Sequence, residues 1–133
     1  MLKRTDDPTV SDDEPLYRRV WDKPNAIKVL PDGTFRPTSA VFTDNTDAQE
    51  VSVFVSSLTT SDKVLENFPN HGLVTIKASV PRAEHQIVAK TPEDSNIAHR
   101  VICPDEGFEH TRKSAAKVMA RNAAWVLLPA SKR

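Results

Sequence analysis

Residues 73–80, LVTIKASV, show the clearest alternation of apolar and polar side chains in the chain. Val74, Ile76, Ala78 and Val80 share one parity, and a polar side chain follows each of the first three. Because successive side chains of a strand point to opposite faces, this alternation predicts a half-buried strand of an antiparallel sheet.

Other short runs of strand-forming residues lie on both sides of it, and apolar residues at helical spacing follow near the C-terminus. They predict an α+β domain, a mostly antiparallel sheet of about five or six strands with one short helix and one long C-terminal helix packed on it. The short helix begins near Ser61 and ends before Pro69. The other strands are predicted at residues 16–21, 39–42, 51–56, 85–90 and 97–103. The long helix is predicted at residues 109–127.

The length of 133 residues predicts a single domain. Residues 1–14 are acidic and have no hydrophobic period, so we expect them to form a flexible tail. The folded domain is expected over residues 15–128, and residues 129–133 are expected to fray.

Composition excludes several classes of function. The 18 lysines and arginines equal the 18 aspartates and glutamates, so no global field favours nucleic acid or a membrane surface. With three glycines and no glycine-rich loop, the usual dinucleotide and nucleotide cradles are missing, and we predict no cofactor. The chain shows neither a secretory signal nor an apolar stretch of about 18 residues, which predicts a cytoplasmic protein without membrane contact.

His99 is the candidate catalytic residue, because it shares a strand parity with Ile97 and Val101. As a general acid or base it would need an orienting carboxylate, and Asp94 is the candidate. The alternative is an imidazole held by hydrogen bonds in the core. A metal site is not predicted, because His99 and Cys103 would lie about 13 Å apart along one strand.

Arginines supply the candidate ligand- or partner-binding residues. Arg18 and Arg19 are adjacent on a strand, so they point to opposite faces. A guanidinium on a sheet face needs a carboxylate, a phosphate or an aromatic ring as a partner, and an ion pair within the chain is the alternative to ligand binding. Tyr17, Arg36 and Asn96 complete this group of candidates.

The predicted C-terminal helix carries Lys113, Lys117 and Arg121 four residues apart, which forms a cationic stripe. Such a stripe is compatible with contacts to nucleic-acid phosphates. No aromatic residue lies among the three to stack on bases, so a solvated helix face is the alternative.

The chain contains the segments LYRR at 16–19, RPTSAVF at 36–42, VSV at 51–53, NIAH at 96–99 and WV at 125–126. These segments resemble those of a group of short uncharacterised bacterial proteins with no established activity. The resemblance covers about residues 14–128, and it implies a bacterial cytosolic setting. It also implies that the tyrosine-arginine and asparagine-histidine segments belong to one site.

Together these features predict a non-enzymatic accessory or adaptor domain that binds a protein partner in a bacterial multi-protein system, for example an antiviral defence system. The first alternative is a small hydrolase or toxin-type enzyme that uses His99 as acid or base, with arginines at an anionic centre. The second alternative is nucleic-acid binding through the basic C-terminal helix.

Overall fold

The computed structural model describes residues 4–43, 49–91 and 95–133. Within these ranges the α-helices are α1 (Ser61–Val64), α2 (Ser79–Ala83) and α3 (Arg112–Asn122). The strands are β1 (Pro15–Val20), β2 (Ile27–Val29), β3 (Phe35–Pro37), β4 (Val51–Val55), β5 (Gly72–Lys77), β6 (Gln86–Lys90), β7 (His99–Pro104) and β8 (Ala124–Leu127).

The described strands form a six-stranded sheet in the order β6-β7-β4-β1-β5-β8 and a separate hairpin of β2 and β3. Every pairing is antiparallel. The predicted α+β class and antiparallel sheet are therefore confirmed. β1 lies at the centre, with Tyr17 opposite Phe54 of β4 on one side and opposite Thr75 of β5 on the other.

The main core lies on one face of this sheet. Val51, Val53 and Val55 of β4 point into it, as do alternate residues of the neighbouring strands. Alanines on α3, among them Ala115 and Ala116, are fully buried there and let the helix approach the strands closely. A short 3₁₀ helix, Ser39–Phe42, packs between α3 and the sheet; the sequence predicted a strand at this position.

The strand predicted at 73–80 and the helix predicted at 109–127 both end earlier than expected. β5 ends at Lys77, because the amides of Ala78 and Ser79 donate to carbonyls of the N-terminal segment instead of to a strand. The long helix ends at Asn122, and β8 then pairs with the edge of β5. The indole N–H of Trp125 donates to the Phe35 carbonyl at 2.9 Å, which ties β8 to the hairpin.

The N-terminal segment differs from the expected flexible tail. Residues 4–14 lie against the sheet, where Asp6 bridges to Ala89 and the Asp7 amide donates to Val88 at the edge of β6. Val10 is buried in the main core. Arg82 donates to the carboxylates of Asp6 and Asp12 and to the backbone carbonyls of Asp7 and Val10, so two of the charges that made the segment look like a tail are paired.

The C-terminal residues are likewise held, although we expected 129–133 to fray. Pro129 is buried against β5, and the amide and hydroxyl of Ser131 both donate to the carboxylate of Asp22. A hydrogen-bonded carboxylate is favoured in its charged form, and the pKa of Asp22 is accordingly lowered.

Gly72 permits this close approach, so Gly72→Ala is expected to lower the free energy of unfolding by about 1–3 kcal/mol. A Cβ at position 72 would lie 2.7 Å from the backbone nitrogen of Pro129 and 2.8 Å from the carbonyl oxygen of Leu127. Both are backbone atoms, so the C-terminal segment must move. Urea denaturation measures the loss, with the exposed Glu66→Ala as control. Equal stability of the two variants would contradict the packing described.

Candidate functional site

The candidate site lies on the sheet face opposite the main core. Ser52 and Phe54 alternate with the core valines of β4 and therefore point to this second face. Tyr17 faces Phe54 across the β1–β4 pair, and His99 faces it across the β4–β7 pair. Arg19, two residues beyond Tyr17, lies over the Phe54 ring. We call these five residues the Phe54 face.

Arg19 is held between two aromatic rings. Its guanidinium carbon lies 4.0 Å from the centroid of Phe68 and 4.9 Å from that of Phe54, and its Nε–H donates to the Val64 carbonyl at 2.9 Å. Val64 ends α1, the helix that Thr60 caps by accepting from the Lys63 amide. Desolvation by burial lowers the pKa of Arg19. Across the described residues no carboxylate pairs with it, so only aromatic rings and one carbonyl compensate its charge.

Arg19 also affects the pKa of His71, whose ring packs against Phe68. Phe68 and His71 have ring centroids 5.0 Å apart at a tilted angle. Burial lowers the pKa of His71, and the positive charge of Arg19 lowers it further, while Asp22 acts in the opposite direction.

His99 is half-buried and is hydrogen-bonded through both ring nitrogens. Its Nε2 lies 3.1 Å from the Ser52 hydroxyl oxygen, and its Nδ1 lies 3.0 Å from that of Thr91, which is buried. Its ring also contacts Phe54, with centroids 5.6 Å apart. Asp94, the carboxylate expected to orient His99, lies outside the described residues. The hydroxyl groups of Ser52 and Thr91 therefore both contribute to the orientation of the imidazole.

Asn96 shapes the turn that delivers His99 to β7. Its side-chain oxygen accepts from the Ala98 amide at 3.0 Å, and its backbone carbonyl accepts from the His99 amide at 3.1 Å. Asn96 therefore fixes the start of the strand.

Arg18 and Arg36 do not join the Phe54 face. Arg18 points to the core side, where it donates to the carbonyls of Val41 and Ser52 at 2.8 and 2.9 Å and links the 3₁₀ helix to β4. Arg36 lies on β3, in the hairpin that packs against α3, and its buried Nε has no hydrogen-bond partner among the described residues. Of the predicted arginines, only Arg19 lies on the same face as His99.

Lys113, Lys117 and Arg121 are exposed on the outer side of α3, as the predicted stripe requires. In the described ranges none of them has an ion-pair or aromatic partner. They lie across the sheet from the Phe54 face, since α3 covers the main core.

Cys103 is a buried thiol. Burial raises its pKa to about 11, and the neighbouring Glu50 contributes in the same direction. At neutral pH the thiol is therefore protonated and poorly nucleophilic. Within ranges 4–43, 49–91 and 95–133, no three His, Cys, Asp or Glu side chains are grouped to hold a metal ion. The described helices are all too short or too polar to cross a membrane.

Sequence reasoning did not identify Ser52, Phe54, Phe68 or Thr91 as members of this site. The parity of Ser52 and Phe54 on a valine-rich strand shows that they leave the core. No local spacing connects them with Thr91 or Phe68, because strand pairing and the loop after α1 bring these residues together.

No protein-family model, curated protein or solved structure matches the chain.

Proposed function

We propose that this chain is an accessory domain that binds a protein partner by docking an anionic group of that partner onto Arg19. The observation that carries the proposal is the stacking of Arg19 between Phe54 and Phe68, with no carboxylate from the described residues beside it. The bacterial cytoplasmic multi-protein setting predicted from the sequence belongs to this proposal.

The charge balance of Arg19 favours an anion. Burial alone lowers the pKa of Arg19, which means that desolvation of the cation is not offset by a neighbouring negative charge. A carboxylate or phosphate supplied by a partner would offset it. An arginine fork can bind either group through two parallel N–H donors, and those hydrogen bonds are stronger than neutral ones.

The geometry is also organised before any ligand arrives. Two rings and the Val64 carbonyl fix the guanidinium, so docking does not have to order a long free side chain. The rings beside it favour an anion that is attached to an apolar or aromatic group. An acidic or phosphorylated protein segment has this chemistry, whereas nucleic acid is bound mainly through several cations. Arg19 is the one lysine or arginine among the five residues of the Phe54 face, and the stripe on α3 lies across the sheet.

The test is a titration of the isotope-labelled full chain with phenyl phosphate and with phenylacetate, followed by NMR. Both anions are expected to shift the Nε–H of Arg19 and the amides of Phe54 and Phe68. Arg19→Gln should weaken binding at least about tenfold, since hydrogen bonds to charged groups contribute about 1.5–3 kcal/mol. The affinity of Arg19→Lys should lie between those of the parent chain and Arg19→Gln, because lysine keeps the charge but cannot form two parallel hydrogen bonds.

Arg121→Gln is the matched control, an exposed arginine on α3 whose loss should leave both titrations unchanged. Shifts centred on α3, or no shift at Arg19 at millimolar anion in a chain with dispersed amide signals, would overturn the proposal. Comparison of the two anions shows whether the site prefers phosphate or carboxylate.

A further inference from the structure

We infer that Ser52 and His99 form a nucleophile–base pair that transfers the acyl group of activated carboxylic esters. This activity goes beyond partner binding and does not depend on the docking at Arg19. The observation is a chain of three side chains, in which the Ser52 hydroxyl contacts Nε2 of His99 and the Thr91 hydroxyl contacts Nδ1.

The chain has the order of groups that activates a serine. Ser52 lies 3.1 Å from the imidazole and can donate its O–H to Nε2, which requires the tautomer that carries its proton on Nδ1. In that tautomer the Thr91 hydroxyl oxygen, 3.0 Å from Nδ1, accepts the hydrogen bond from Nδ1–H. A nucleophile within hydrogen-bond reach of a base, with the base oriented by a third group, is the general arrangement for covalent catalysis by serine.

The surroundings keep both reacting groups in place. The backbone carbonyl of Ser52 accepts from Arg18, which holds this part of β4 against the core while the side chain points to the other face. The His99 ring packs on Phe54. Ser52 and His99 are both half-buried, so each keeps part of its surface in contact with solvent.

The reaction balances with water as the second substrate. The Ser52 Oγ attacks the ester carbonyl carbon while Nε2 of His99 takes the hydroxyl proton. The bond to the leaving alcohol then breaks, and His99 gives that proton to the departing oxygen. Water, deprotonated by His99, next attacks the acyl-serine, which releases the carboxylic acid and restores the Ser52 hydroxyl. No oxidant or metal is needed.

The test uses the full chain with an alkyl fluorophosphonate, which phosphonylates an activated serine and releases fluoride. We expect one adduct by intact mass, mapped to Ser52 in the peptide digest. Ser52→Ala should abolish the adduct. His99→Gln should slow it by about 10²-fold or more, the usual contribution of a general base.

Ser114→Ala is the matched control, because Ser114 is exposed on α3 and its hydroxyl donates to a backbone carbonyl. It should label like the parent chain. Turnover of p-nitrophenyl acetate should follow the same order among the variants. A folded parent chain that forms no adduct at Ser52, or one whose labelling rate is unchanged by His99→Gln, would overturn the inference; both measurements stand even if Ser52→Ala does not fold.

Discussion

Asp7→Ala is expected to lower the free energy of unfolding by about 3–5 kcal/mol, the usual effect of removing one partner from a buried ion pair. The side chains of Arg100 and Asp7 are only 5% and 10% exposed, and the Arg100 Nε lies 2.9 Å from the Asp7 carboxylate. Without that carboxylate, Arg100 keeps its hydrogen bonds to the Ile97 and His99 carbonyls but remains a buried, uncompensated cation.

Asp12→Ala provides the control for this measurement. The Asp12 side chain is 72% exposed and pairs with Arg82, so its loss should cost less than about 1 kcal/mol. Urea denaturation compares the two variants with the parent chain. The double variant Asp7→Ala with Arg100→Met should recover stability relative to Asp7→Ala, because it removes the stranded charge. An Asp7→Ala chain as stable as Asp12→Ala would contradict the buried pair.

The Asp7–Arg100 pair makes the free energy of unfolding depend on pH. Desolvation tends to raise the pKa of Asp7, but hydrogen bonds from Thr9 and Arg100 together with the charge of Arg100 outweigh it, and the pKa falls below 3.8. A carboxyl whose pKa is lowered by folding stabilises the fold above its unfolded pKa. That contribution is lost as the pH falls through the folded pKa. The stability difference between the parent chain and Asp7→Ala should therefore shrink below about pH 4.

Alternation identified the central strands because one face of the sheet is buried on the main core. Val74 and Ile76 on β5, and the valines of β4, repeat at a period of two for this reason. β8 was missed because AAWVL continues the apolar spacing of α3, and the pairing that makes it a strand lies on β5, remote in sequence. Local pattern does not contain that information.

The N-terminal segment is predicted as a flexible tail, whereas the structure places it against the sheet. Its aspartates resemble those of a disordered tail when they are counted along the chain. Arg82 lies 76 residues from Asp6 and Arg100 lies 93 residues from Asp7, and these arginines pair with the aspartates only once the strands assemble. Sequence order could not indicate which carboxylates would be paired.

The candidate site was predicted in part. The sequence singles out Arg19 and His99, and the structure places both against Phe54. Arg18 and Arg36 were grouped with them by residue type alone, and the strand parity of Arg18 already placed it on the other face. Ser52 and Thr91 depend on the β4–β7 pairing and on the end of β6, so only the assembled sheet reveals their contact with His99.

Phe42→Ala is expected to lower the free energy of unfolding by about 3–5 kcal/mol, the range measured for large-to-alanine changes in cores. Phe42 is 1% exposed and ends the 3₁₀ helix on which α3 packs. Truncation would leave a cavity between that helix and the alanines of α3. Because the alanine side chains of α3 are too short to fill this cavity, the structure can relax only partially.

The control is Val29→Ala, because Val29 is 60% exposed on the hairpin and its loss should change stability by less than about 0.5 kcal/mol. Hydrogen exchange then localises the effect. In Phe42→Ala the amides of α3 should lose protection before those of β1 and β4, because the cavity lies beneath the helix and not between the central strands. Uniform loss across helix and sheet, or stability equal to that of Val29→Ala, would show that α3 is not anchored at this point.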